Sequence, residues 1–212
     1  QKEEIKALVD AMHYHYPKSL EEEGIDMNRV RKAFKLPEVE AKQTKQNSML
    51  KLSAKLYHNI ADISQEEWDT FFADKGCFDH QSLALLEAAF TGNERKDQNW
   101  DFIYLIIRDR EGKVVLATFF TVAMWKDDML AKSEVSTQVE TVREQDAYYM
   151  MSRVLSMGSL ITDGDHLYLD KAHALSTEAL KLLCIHMEEL KIKYDAKMIM
   201  VRDLPADDQE LS

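Results

Sequence analysis

A chain of 212 residues with 45% hydrophobic content can build the core of one ordinary domain plus an appendage, which excludes a wholly disordered polymer. Its formal charge of −11, with no dense basic patch, excludes binding of nucleic acid by phosphate neutralisation and offers no anchor for an anionic membrane. No apolar run approaches the ~18 residues of a membrane span, and no signal peptide opens the chain.

From Lys2 to Tyr16, the residues Ile5, Leu8, Val9, Met12 and Tyr16 fall at helical spacing, and Pro17 interrupts the pattern. A second short amphipathic stretch runs from Met27 to Phe34. The polar band that follows has almost nothing to bury, so the expected organisation is a helical tail over 1–36, a linker over 37–49 and a main domain over 50–212. Leu52, Ala54, Leu56 and Ile60 suggest a first strand within 51–63. Ser64 and Glu67 form a capping box ahead of Trp68, Phe71 and Phe72, and His80 to Phe90 repeats the helical spacing.

The stretch from Trp100 onward organises the chain. Two arms crowded with β-branched and aromatic residues, 101–108 and 114–124, flank a turn at Gly112 and predict a hairpin. Neither arm alternates cleanly, so both of its faces are expected to be covered. Val135, Val139 and Val142 then predict a partly helical segment. A strand at 166–170, a helix over roughly 175–193 and a strand at 197–203 complete a βαβ unit. Cys77 and Cys184 sit in apolar, helix-like contexts and read as buried free thiols, which fits a reducing cytoplasm. The chain opens at Gln1 rather than methionine and ends soon after a core-grade strand, and it reads as a piece of something longer.

The order strand, two helices, hairpin, strand, helix, strand resembles that of the GNAT acyltransferase superfamily. The segment from Leu167 through Asp170 and on to Ser176 is similar to that family's donor-binding corner, where a basic residue and small residues open the helix after the fourth strand. Lys171 falls at the basic position, and Ala174 and Ser176 at the small ones, although both glycines of the pattern are missing and Asp170 adds an acid. Stretches around Thr121, Tyr149, Gly164 and Met200 together resemble the divergent, Fem-related GNAT-like acyltransferases. The opening segment to Leu36 resembles the C-terminal tail of a pyridoxal-phosphate-dependent α-oxoamine synthase, as in bacterial fusions of such a synthase with a GNAT-like domain.

The resemblance implies an α/β (α+β) fold with a mixed central sheet, acyl-CoA as donor substrate and a small-molecule amine as acceptor. It implies that Leu167, Tyr168 and Leu169 bind the pantetheine arm and that Lys171, Ala174 and Ser176 hold the pyrophosphate. Tyr148, Tyr149, Arg153 and Ser156 would line the acceptor side. Arg202, like Arg153, interrupts an apolar run, where a guanidinium either pairs with a carboxylate or contacts an anion in the cleft. No catalytic acid is assigned, because in the family it often follows the fifth strand. The other reading is a non-catalytic GNAT-like module that binds a partner domain or acyl carrier. Read without the resemblance, residues 171–176 are an ordinary strand-to-helix loop with Ser176 as N-cap. His166, His173 and Asp170 could make a cluster, but polar residues near a helix start ordinarily cap it or face water, so they do not read as metal ligands. No Gly-x-Ser-x-Gly elbow or Ser/His/Asp order points to a covalent hydrolase.

Overall fold

The computed structural model describes residues 51–203, so the expected helical tail and linker lie outside the described residues. Within that span the chain forms a mixed α/β fold with one six-stranded sheet. The elements are β1 (Leu52–Tyr57), α1 (Gln65–Phe72), α2 (His80–Ala89), β2 (Asp101–Asp109), β3 (Val114–Lys126), α3 (Ser133–Arg143), β4 (Met151–Met157), β5 (Leu167–Leu169), α4 (Ser176–Lys193) and β6 (Met198–Met200). Single turns of 3₁₀ helix occupy Ile60–Asp62 and Lys96–Gln98.

The hairpin sits at the centre of the sheet. β2 and β3 are antiparallel, β1 lies outside β2, and the far side of β3 is shared by β4 and β5. Successive side chains of β2 go to opposite faces. Ile103, Leu105 and Ile107 meet Leu180, Leu183, Met187 and Leu190 of α4. Phe102, Tyr104 and Ile106 meet Trp68 and Phe72 of α1 and Leu83 of α2. Both faces of the hairpin are therefore covered, which explains why neither arm alternates. Among the described residues no helix is long and apolar enough to cross a membrane. Cys184 is buried, and burial pushes its thiol up to about 11, but Cys77 is exposed, against expectation.

Two element assignments change. The fourth strand is β4 rather than the stretch beginning at His166, and the final strand is confined to Met198–Met200. β4 and β5 are two pieces of one strand. β4 sets Ser156 opposite Thr121, and β5 sets Leu167 opposite Thr118. Three steps along β3 thus face eleven along its partner, so eight residues, 159–166, are looped out of an otherwise continuous ladder. β6 runs parallel to β4 at Val154, Leu155 and Ser156 and pairs with no residue of β5. The sheet forks there.

Candidate functional site

The fork has β5 on one side and the chain beyond β6 on the other. Asp170 N–H donates to Val115 C=O at 2.9 Å, which fixes the phase of the ladder: Tyr168 turns its backbone groups to β3, and Leu167 and Leu169 turn theirs outward. Leu167 C=O already accepts from Lys75 Nζ at 2.7 Å, and its N–H reaches Asp165 Oδ1 at 3.3 Å. Leu169 carries the remaining outward-facing amide of the strand.

β5 leads directly into the start of α4. Ser176 is the first helical residue and is buried, and Leu175 stands at the cap position with no side-chain hydrogen bond to the helix. The expected N-cap role of Ser176 is therefore not seen. Ser176 N–H bonds back to His173 C=O, and Leu175 C=O takes Ala179 N–H. The N–H groups of Thr177 and Glu178 are left without an intrahelical acceptor, as in any first turn. Lys171 and Ala174 are exposed beside them.

The loop between β5 and α4 is tied to the hairpin turn. Lys113 Nζ meets Asp170 Oδ2 at 2.7 Å, and His173 Nε2 meets Asp109 Oδ2 at 3.1 Å. Since His173 Nδ1 accepts Leu175 N–H, its proton resides on Nε2 and is donated to Asp109. The hydrogen bond from Lys113 holds the Asp170 carboxyl below its ordinary range. The acid that seemed to oppose a phosphate at this corner is thus already neutralised.

The residues expected on the acceptor side do not gather there. Arg153 lies opposite Met124 and Leu169 opposite Leu116, eight residues apart on β3, or roughly 25 Å at ~3.3 Å per residue. Arg153 pairs with Asp101 at 2.7 Å and lies over the Tyr194 ring. Tyr148 Oη accepts Lys96 N–H at 3.1 Å, and Tyr149 C=O accepts from Arg143 Nε at 2.9 Å, both ahead of β4. Ser156 is buried within β4, nearest to the fork of these four.

Arg202 is at the fork and acts as a tie. Its Nη2 donates to the carbonyls of Ser159 and Thr162, and Nη1 reaches Asp163 at 3.4 Å. It thereby fastens the looped-out residues to the chain leaving β6. His166, expected to cap or face water, instead has its side chain fully buried against Phe78 and Phe119. Its Nε2 is 3.0 Å from Thr162 Oγ1, and its Nδ1 lies 3.8 Å from Asp203 Oδ2 with no hydrogen-bond partner. Burial holds this imidazole below its ordinary pKa, against the opposing pull of Asp203.

No family model matches this chain, and neither the curated proteins nor the solved structures contain a significant match to it.

Proposed function

We propose that residues 50–212 belong to a GNAT-like acyltransferase domain that moves an acyl group from acyl-CoA to a small-molecule amine. One observation carries this reading: β6 leaves the sheet beside a strand whose outward edge ends at the uncapped N-terminus of an 18-residue helix. An amide-bearing arm can add to such an edge through the N–H and C=O of Leu169, as an extra strand would. A phosphate at the end of that arm would meet the N–H groups of Thr177 and Glu178, the positive end of the helix and the Lys171 ammonium. In the reaction the amine nitrogen attacks the thioester carbonyl carbon, the C–N bond forms, the C–S bond breaks and the thiolate leaves with the proton lost by the amine. The domain's contribution would be mainly to hold donor and amine in register.

A second reading, a non-catalytic module of the same fold that binds a partner domain or acyl carrier, also has support. Lys75 already occupies the Leu167 carbonyl, and Glu178 stands in the first turn of the helix.

Calorimetric titration with coenzyme A separates the two. Under the first reading wild type binds, and Lys171→Glu weakens binding roughly tenfold or more, since a nearby charge reversal is worth on the order of 1–2 kcal/mol. Asp170→Asn strengthens binding modestly, because it frees Lys113 as a second cation. Both effects shrink as salt is raised. Binding unaffected by Lys171→Glu would move the phosphate elsewhere, and no binding at all would favour the second reading.

A further inference from the structure

Residues 159–166 leave the β4–β5 strand at Gly158 and return at Leu167, and they are closed on themselves by one hydrogen-bond circuit. Ser159 Oγ accepts the N–H groups of Ile161 at 3.3 Å and Thr162 at 3.2 Å. With both lone pairs used, its own proton must go to Thr162 Oγ1, 3.0 Å away. Thr162 Oγ1 also accepts Ser159 N–H at 3.0 Å, so both of its lone pairs are taken as well. Its proton can then go only to His166 Nε2, also at 3.0 Å. The circuit therefore has one consistent set of proton positions: His166 Nε2 is bare, and the ring's single proton lies on Nδ1, facing Asp203.

We infer that this loop is a pH-operated strap across the fork of the sheet, fastened by neutral His166 and released when that imidazole takes a second proton. A proton on Nε2 would point at the Thr162 hydroxyl oxygen, which has no lone pair left to receive it. One member of the circuit would have to turn away, and Ser159, Thr162 and His166 are all buried. Release would also loosen two outer ties, Arg202 to the carbonyls of Ser159 and Thr162, and Lys75 to Asp165 at 2.6 Å. Letting go of Lys75 would free the Leu167 carbonyl on the outward edge of β5. The inference stands independently of the acyl-transfer reading, because it concerns only the protein's own groups.

The charges around the ring set the balance. Asp203, beyond β6, favours the imidazolium, as does the Thr162 carbonyl, which is already engaged by Arg202, and Arg202 disfavours it. Asp165, on the strap, favours it but is paired with Lys75, and Asp163 is engaged by Arg202. The α1–α2 connection contributes the Phe78 ring at 4.9 Å and β3 the Phe119 ring at 5.7 Å, neither of which solvates a charge. Burial is the largest influence and favours the neutral form. An imidazole freed into water titrates near 6.5, so acidification below about that pH should open the strap progressively, up to tenfold per pH unit, until the closed-state pKa is reached.

The test is nuclear magnetic resonance on the protein itself. The ring nitrogens of His166 should show the Nδ1–H neutral tautomer at pH 7. Hydrogen exchange at the amides of Ile161 and Thr162, divided by their intrinsic rates, should accelerate about tenfold or more between pH 7 and pH 5, and amides of Leu105 and Ile106 in β2 should not. His166→Gln, whose amide oxygen can accept from Thr162 at any pH, should remove the acceleration. Asp203→Asn, by removing a charge that favours the imidazolium in the closed strap, should leave the onset near pH 6.5 and carry the acceleration on to lower pH. A proton on Nε2 at neutral pH, or strap amides that track β2 throughout, would overturn the inference even if the variants fail to fold. A total acceleration in Asp203→Asn no larger than in wild type would remove Asp203 from it.

Discussion

Arg143 commits four of its five N–H groups to the protein. Nε donates to Tyr149 C=O at 2.9 Å, Nη1 to Glu140 at 2.8 Å, and Nη2 to Asp128 at 2.5 Å and to Met150 C=O at 2.9 Å. The guanidinium and Asp128 are both buried, so this one side chain closes the long connection from β3 through α3 to β4. Arg143→Met should cost about 3–5 kcal/mol in urea unfolding, because it strands the Asp128 carboxylate. Adding Asp128→Leu should recover part of that loss, and a single variant no less stable than the pair would contradict the burial argument. Nothing in the sequence marks Arg143, since a basic residue in the last turn of an amphipathic helix ordinarily faces water. Its partners are named only by the fold.

The strand built from β4 and β5 shows where sequence legibility ends. The central hairpin was readable because each arm is a long β-branched and aromatic run with a glycine turn between. The helices α1 and α4 were readable from the capping box at Ser64 and from the long apolar periodicity. Ser64 Oγ does accept Glu67 N–H at 3.2 Å. β4 was not readable, because Ser152, Arg153 and Ser156 break its apolar run, and only the pairing with Asp101 and Asp127 explains two of them. The corner from Leu167 to Ser176 was legible as a continuous strand-to-helix segment, whereas the fork needs β6 and the register of β3, both distant in sequence. The junction is sensitive at Gly158, whose φ is +81° and where an added Cβ would lie 2.5 Å from the His166 ring. Left-handed backbone alone costs ~1–2 kcal/mol for a residue with a Cβ. Gly158→Ala should therefore lose about 2 kcal/mol or more in urea unfolding and speed exchange at Ile161 and Thr162 at neutral pH. A fully stable variant with a protected strap would mean that the ring can move aside at little cost.

At the scale of the whole molecule, these groups predict a stability profile with three regimes in pH. Asp79, Asp97, Glu140 and Asp170 are held below the ordinary carboxylate range, led in turn by hydrogen bonds from Ser82, Arg95, Lys126 and Lys113. A carboxyl with a depressed folded-state pKa adds stability that is present above about pH 4 and is lost as pH falls further. His166 behaves differently: its folded-state pKa is depressed, so the unfolded chain takes up the proton first and stability begins to fall below about pH 6.5. Cys184 and Tyr104 are both shifted upward, chiefly by burial. The unfolded chain loses those protons first, so stability falls as pH rises past about 9. The melting temperature followed by calorimetry should therefore be highest between about pH 6.5 and 9. It should decline gently from pH 6.5 to 5 and steeply below about 4.5. His166→Gln should flatten the gentle segment and leave the steep one unchanged. Added salt should soften only the steep segment, since its ion pairs are close to solvent. A gentle segment that persists in His166→Gln would show that the buried imidazole does not set the protein's response to mild acid.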